Sequence, residues 1–146
     1  MTSDQSTVHQ PKLHIFAAVL TVVGLADSIY LTVTHLTGEN VTCVASSGCN
    51  EVLSSPYASV GPIPLGAIGA LGYFLAFSLA ILTAFGSARA RTFFRIQVAG
   101  MLAVTCWLLY VQAFILHHFC DFCLLSASVT TSLFIIVVIS FLLGDR

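Results

Sequence analysis

Four long apolar stretches leave this chain few ways to fold. They cover residues 15–36, 63–85, 96–116 and 122–143, and each is longer than 20 residues. A helix needs about 20 residues to cross about 30 Å of hydrocarbon, and in lipid it satisfies its own backbone hydrogen bonds. With 58% hydrophobic and 8% charged residues, the chain also lacks the polar surface of a water-soluble domain. The sequence therefore predicts an all-α integral membrane protein, a bundle of four transmembrane helices.

The rest of the chain is divided between one tail and one long connection. Residues 1–12 are expected to form an irregular cytoplasmic tail, and residues 13–146 a single membrane domain. The first apolar stretch is too long for a secretory signal and no small-residue cleavage site follows it, so we expect it to be retained. Residues 37–61 form a long loop between the first two helices, and loops of this length are usually functional or disordered. A short interfacial helix is expected within this loop, near residues 50–54.

All five lysine and arginine residues fall on one side of this topology. They precede the first span, flank the link between the second and third, and end the chain: Lys12, Arg89, Arg91, Arg95 and Arg146. The positive-inside rule places that side in the cytoplasm. We therefore expect both termini inside the cytoplasmic (inner) membrane, and the 37–61 loop and the 117–121 link outside it. Nothing resembles the basic patch of a nucleic-acid-binding protein.

Cys120 and Cys123 form a C-x-x-C motif at the outer start of the fourth helix. Side chains three residues apart project from one face of a helix, close enough for a disulfide. The helix N-terminus stabilises a thiolate and so raises its reactivity. Metal sites share this motif, but its position facing an oxidising compartment favours redox chemistry.

Cys43 and Cys49 form a second pair in the outer loop. Taken alone, this pair is equally well a structural bridge that fixes a long loop. Two dithiol pairs on one face of the membrane can, however, exchange disulfides and pass two electrons from one to the other. The fifth cysteine, Cys106, lies about 15 Å below the C-x-x-C motif within the third span, too deep for a bridge to Cys120. We expect it to be a small packing residue.

The sequence around these cysteines resembles the vitamin K epoxide reductase family, specifically its bacterial members. The matching residues are Tyr30-Leu31-Thr32 late in the first span, 48–58 and 61–66 in and after the loop, and the Cys120-Asp121-Phe122-Cys123 motif. Two cysteine pairs, together with a serine six residues after the second loop cysteine, make the resemblance specific. It extends from about residue 15 to the end of the chain.

The resemblance implies a four-helix bundle around a quinone of the ubiquinone, menaquinone or vitamin K type. By position, Cys123 would contact the quinone and Ser55 would donate a hydrogen bond to a quinone oxygen. Cys120 would receive the disulfide relay from Cys49, and Cys43 would meet a thioredoxin-like partner. Many bacterial relatives carry that partner as a fused domain. Here it is expected to be a separate protein.

Two further positions are candidates for the quinone site. Asp27 lies near the middle of the first span, where an ionisable group costs at least about 2.5–3.5 kcal/mol and signals either function or an internal partner. A buried, protonated and purely structural carboxyl is the alternative. A second candidate for the wall of the quinone pocket is Phe114, together with Trp107 and Tyr110. The alternative roles for each of these rings are lipid contact and core packing.

The leading hypothesis is a thiol–disulfide oxidoreductase that passes electrons from extracytoplasmic thiols to a membrane quinone and so supports disulfide bond formation. The same relay could instead reduce a quinone epoxide. Two hypotheses of other classes stay open. One is a metal-binding membrane protein using the four paired cysteines with His117 and His118, although no metal is expected. The other is an inert structural bundle with bridged loops.

Overall fold

Five α-helices make up most of the part of the chain that the computed structural model describes. That part comprises residues 3–41, 43 and 48–144, with residues 3–11 and 144 described by their backbone alone. The helices are α1 (Ser3–Thr37), α2 (Cys49–Leu53), α3 (Leu65–Ala84), α4 (Ala88–Tyr110) and α5 (Asp121–Gly144). A π-helical turn, Val111–Leu116, continues α4.

Four of these helices are long and apolar enough to cross a membrane. The candidate spans are Lys12–Thr37, Leu65–Ala84, Ala88–Leu116 and Asp121–Leu143. Each contains at least the roughly 18–20 residues needed to cross the hydrocarbon layer. The predicted number of spans is confirmed, and the architecture is that of a multi-pass membrane protein.

Two helices extend beyond the predicted boundaries. α1 begins at Ser3, so the irregular conformation expected for the tail is wrong from that residue onward. α4 begins at Ala88 rather than at residue 96. At its start, the Ser87 hydroxyl accepts a hydrogen bond from the Ala90 amide at 3.3 Å. A helix can continue past its apolar stretch because its backbone hydrogen bonds do not require apolar side chains. Hydropathy therefore locates the membrane crossing better than it locates the helix ends.

The connection between α1 and α3 contains short regular elements. Gly38, with a φ of 69°, follows the last residue of α1 and ends the helix in the left-handed conformation that glycine favours. The expected short helix is confirmed as α2. A 3₁₀ turn, Pro56–Ala58, then leads into two antiparallel strands, β1 (Ser59–Val60) and β2 (Ile63–Pro64). Because Ile63 and Pro64 are in β2, α3 begins two residues later than predicted; residues 42 and 44–47 of this connection lie outside the described part.

Small residues bring α1 and α3 into close contact. α1 packs against α3 and α5, and α4 packs against α3 and α5. A Cβ added at Gly66 would lie 2.8 Å from the Thr32 hydroxyl, and one added at Gly69 would lie 3.1 Å from the Ser28 hydroxyl. Glycine is needed at these two positions, because a larger side chain would force the helices apart.

Candidate functional site

All four paired cysteines meet in one cluster at the end of the bundle that carries the connection between α1 and α3. Cys49 and Cys120 are both buried in this cluster, which we call the cysteine cluster. Cys43 and Cys123 pack against it and are partly buried. Its other members are Val41, Val52, Leu53, Leu116 and Phe122. Two pairs more than 70 residues apart in sequence thus share one apolar environment.

The loop pair is oxidised and the C-x-x-C pair is not. Cys43 and Cys49 form a disulfide with their Cα atoms 5.8 Å apart, while Cys120 and Cys123 carry unbridged thiols. The Asn50 side chain anchors this region by accepting a hydrogen bond from the Val41 amide at 2.8 Å. Asn50 therefore connects α2, which begins at Cys49, to the segment that leaves α1.

Gly48 allows the two cysteine-bearing segments to approach each other. A Cβ at this position would lie 2.7 Å from the Phe119 carbonyl oxygen and 2.8 Å from the His118 Cβ. Both residues belong to the 117–120 link, immediately before the C-x-x-C motif. Since carbon contacts are normally about 3.5–4.0 Å, the observed approach requires glycine. The residue next to Cys49 is thus in direct contact with the residue next to Cys120.

The first cysteine of the C-x-x-C motif is held by a side chain from the preceding span. The buried Gln112 accepts a hydrogen bond from the Cys120 amide at 3.1 Å through Oε1. Gln112 lies in the π-helical turn, and such turns often occur at functional sites. A hydrogen bond from the Cys123 thiol lowers the pKa of Cys120 from its ordinary value, against the opposing effect of burial. A thiol with a lowered pKa leaves more readily in disulfide exchange, which suits a cysteine that takes part in a mixed disulfide.

A cavity of about 550 Å³ lies inside the bundle beside this motif. Cys123, Ser55 and Asp27 all line it, so the structure brings these three predicted site residues to one space. Cavities of about 300–1,000 Å³ are typical of small-molecule sites. The lining is mostly apolar, with a few polar side chains, which suits a weakly polar ligand.

The polar groups around this cavity differ in how fully they are paired. The Tyr73 hydroxyl lies 2.6 Å from the Ser126 hydroxyl and 3.0 Å from that of Thr130. The Ser55 hydroxyl donates to the Val52 carbonyl at 2.6 Å. Asp27 is different: it is 7% exposed, and neither carboxyl oxygen has a hydrogen-bond partner among the described residues.

Several candidates from the third span lie away from the site. Phe114 is 68% exposed on the outside of the bundle and its ring contacts that of Tyr110, which itself packs beside Trp107. None of these three rings lines the cavity, and their exposure on the bundle surface agrees with the alternative of lipid contact. Cys106 is also exposed on the bundle surface, not packed inside as predicted. In a membrane all four side chains would face lipid, where aromatic and apolar groups need no protein partner.

A comparison with protein families identifies the chain. The family model described as the vitamin K epoxide reductase family matches residues 15–138, most of the chain. The chain belongs to the vitamin K epoxide reductase family. The resemblance inferred from the cysteine motifs is confirmed. Members of this family are oxidoreductases linked to quinone and disulfide chemistry, and the four membrane-spanning helices agree with that assignment.

The metal-binding alternative gains no support in this family member. Within the described residues, no group of three or more His, Cys, Asp or Glu side chains is arranged to hold a metal ion. The sulfurs of Cys43 and Cys49 are bonded to each other, which removes two of the four thiolates that a tetrahedral zinc site would need.

Sequence reasoning missed two residues that shape this site. Gln112 is a polar side chain within an apolar span, and polar groups in spans usually face the bundle interior. That signal was available. Gly48 had no comparable signal, because its importance lies in contacts with residues 118 and 119, far away in the sequence.

Proposed function

We propose that this protein is a quinone-dependent thiol–disulfide oxidoreductase that supports disulfide bond formation. Electrons enter from a separate, extracytoplasmic thioredoxin-like protein at Cys43, pass through Cys49 to Cys120, and leave from the Cys120/Cys123 pair to a membrane quinone. The cysteine cluster and both cysteine-bearing segments face outside, and both termini are in the cytoplasm.

One observation carries this proposal: the two cysteine pairs share a cluster, and one of them also borders the cavity. Cys49 and Cys120 are buried in the same cluster, so transfer between the pairs needs no large movement of the helices. Cys123 lines the cavity where a quinone ring would lie. The hypothesis of an inert bundle with bridged loops does not predict that an unbridged thiol pair, a disulfide and a cavity lie next to one another.

The proposed relay balances electrons and protons. The partner reduces the Cys43–Cys49 disulfide to a dithiol, which does not itself react with quinone. The Cys49 thiolate then attacks the Cys120–Cys123 disulfide and forms a mixed disulfide with Cys120. Cys43 then resolves this bond, restoring the Cys43–Cys49 disulfide and leaving thiols at Cys120 and Cys123. Oxidation of those two thiols releases two electrons and two protons, which convert the quinone to the quinol.

The chain's own residues would orient the substrate. The quinone supplies the two-electron acceptor, and Cys123 places a sulfur at the cavity wall. Ser55 lies in the same wall with its proton directed to the Val52 carbonyl. Rotation about its Cα–Cβ bond would redirect that proton to a quinone oxygen, where a hydrogen bond stabilises the charge that develops during reduction.

The test uses purified protein in lipid nanodiscs with a reduced thioredoxin-like protein and a soluble naphthoquinone. Wild-type protein should produce quinol and oxidised partner in equal amounts. Cys120→Ala and Cys123→Ala should abolish turnover, and Cys43→Ala should accumulate a Cys49–Cys120 bridge in thiol-trapping experiments. Cys106→Ala is the matched control, because it removes an exposed cysteine outside both pairs. Undiminished turnover without Cys120 or Cys123 would refute the relay, and reduction of only the quinone epoxide would favour the alternative reaction.

A further inference from the structure

Asp27 places a buried carboxyl in the wall of the cavity. It is 7% exposed, and both carboxyl oxygens are buried without a hydrogen bond from any described residue. Most buried polar groups are hydrogen-bonded, so an unpaired one needs an explanation. The carboxyl lines the same cavity as Cys123 and Ser55.

The charged and titratable groups around Asp27 determine whether its carboxyl can be held in the ionised form. No described lysine or arginine side chain lines the cavity. On the other side of Asp27 is a shallow groove of about 410 Å³ with an almost wholly apolar lining, formed by α1 and α5. The titratable groups that share these two spaces are Tyr30 and His35 on α1, Tyr57 in the α1–α3 connection, Tyr73 on α3 and Cys123 on α5.

An isolated carboxylate in this setting is strongly unfavourable. Burying an unpaired charge in an apolar medium costs so much that the group takes its neutral form instead. A neutral carboxylic acid carries an O–H donor as well as an acceptor oxygen. Asp27 therefore presents an unused hydrogen-bond donor at a cavity wall. The ligand that complements it is a carbonyl oxygen.

We propose that Asp27 is a catalytic acid that donates a hydrogen bond to a quinone carbonyl oxygen in the cavity and transfers its proton to that oxygen during reduction. This inference rests on the proposed function and assigns a residue to the protonation that quinone reduction requires. Asp27 and Cys123 lie on different helices, α1 and α5, and line the same space. The electron donor and the proton donor would thus reach the ring from two different helices.

The step keeps atoms and electrons in balance. The Cys120 and Cys123 S–H bonds break, an S–S bond forms, and two electrons pass to the quinone. The Asp27 O–H bond breaks as a quinol O–H bond forms. One of the two protons released by the thiols then restores the Asp27 carboxyl, and the other reaches the second quinol oxygen. No external oxidant or proton source is consumed beyond the quinone and the thiol pair.

The experiment compares Asp27→Asn and Asp27→Glu with wild type in nanodiscs, using a naphthoquinone without an isoprenoid tail. The amide of Asp27→Asn has nearly the same shape and still donates a hydrogen bond, but it cannot transfer a proton. We expect the quinone KM to change less than threefold and kcat to fall about a hundredfold, within the range for loss of a general acid. Asp27→Glu, which retains a carboxyl, should recover part of the rate.

Two further measurements separate this inference from the proposed function. Disulfide exchange between Cys43/Cys49 and Cys120/Cys123, followed by thiol trapping without quinone, should proceed equally in wild type and Asp27→Asn. The infrared carbonyl band of a protonated carboxyl should be present in wild type, absent in Asp27→Asn, and shifted when the naphthoquinone binds. A wild-type band that does not shift, or an Asp27→Asn enzyme with the wild-type kcat, would overturn the role of Asp27. Wild type that binds but never reduces the quinone would instead overturn the proposed function.

Discussion

Gly48→Ala tests whether close contact between the two cysteine-bearing segments is required for electron transfer. The new Cβ would lie 2.7 Å from the Phe119 carbonyl oxygen, 2.8 Å from the His118 Cβ and 2.9 Å from the Phe119 amide nitrogen. Two of these three atoms belong to the backbone and cannot move away by a side-chain rotation. The α2 segment and the link must therefore separate.

The size of the effect follows from these distances. Restoring ordinary contacts of about 3.5 Å requires a separation of roughly 0.5–1 Å. Overpacking of this kind costs about 1–3 kcal/mol. A mixed disulfide between Cys49 and Cys120 needs Cβ atoms about 3.5–4.5 Å apart, so the strain falls on the arrangement that reacts. When the whole of this 1–3 kcal/mol is added to the barrier of that step, transfer between the pairs slows by about 5- to 150-fold.

The assay starts from protein with a reduced loop pair and an oxidised C-x-x-C pair, and follows exchange by rapid acid quench and thiol labelling. Oxidation of the Cys120/Cys123 dithiol by quinone, measured separately, should be unaffected. Gly61→Ala is the control: Gly61 is in the same connection with a φ of 63°, but a Cβ there would meet nothing within 4 Å. The Gly61→Ala substitution strains the α1–α3 connection without separating the two cysteine-bearing segments. Equal exchange rates in wild type and Gly48→Ala would refute the steric argument.

Three other outcomes are expected. The Cys123 thiol lowers the pKa of Cys120, so the Cys120 thiolate should persist to lower pH when a hydrogen-bond donor remains at position 123. In a Cys106→Ala background, the pH midpoint for modification of Cys120 by methyl methanethiosulfonate should be lower in Cys123→Ser than in Cys123→Ala. Equal midpoints would contradict this. Gln112→Leu leaves the Cys120 amide without its acceptor and should lower the free energy of unfolding in detergent by about 1–3 kcal/mol. Gln112→Glu keeps an acceptor oxygen and should lose less. A Gln112→Leu protein as stable as wild type would show that this hydrogen bond is dispensable. Cys106→Ala should leave quinone turnover within twofold of wild type, and a trapped bridge involving Cys106 would show that it does enter the relay.

The family and the helical spans could be predicted because their signals are local. Each span is a continuous apolar stretch, and the two cysteine pairs with their neighbouring residues identify the family without any tertiary information. The helix ends were predicted less well. α4 starts at Ala88, among arginines that hydropathy assigns to the cytoplasmic link, because helical hydrogen bonding continues beyond the lipid.

The candidate site was predictable only in part. Ser55, Asp27 and Cys123 were proposed from sequence, and all three line the cavity. Phe114 was considered as well, with lipid contact as an alternative, and it lies outside the cavity. In a soluble protein, polar and apolar faces distinguish the two sides of a helix. Here Phe114 faces the surroundings and Leu133 faces the core, yet both are apolar, because lipid and protein interior select the same side chains.

The amino-acid sequence by itself determined four membrane-spanning helices, membership in the vitamin K epoxide reductase family and the two cysteine pairs. Each of these depends on residues close together in the chain. Only the tertiary structure decided which helix faces line the cavity, that Gly48 is in contact with the 117–120 link, and that the buried Asp27 carboxyl has no hydrogen-bond partner among the described residues. The physical reason is that, within an apolar span, hydrophobicity fixes the depth of a residue in the membrane but not the direction in which its side chain points. Helix packing supplies that direction.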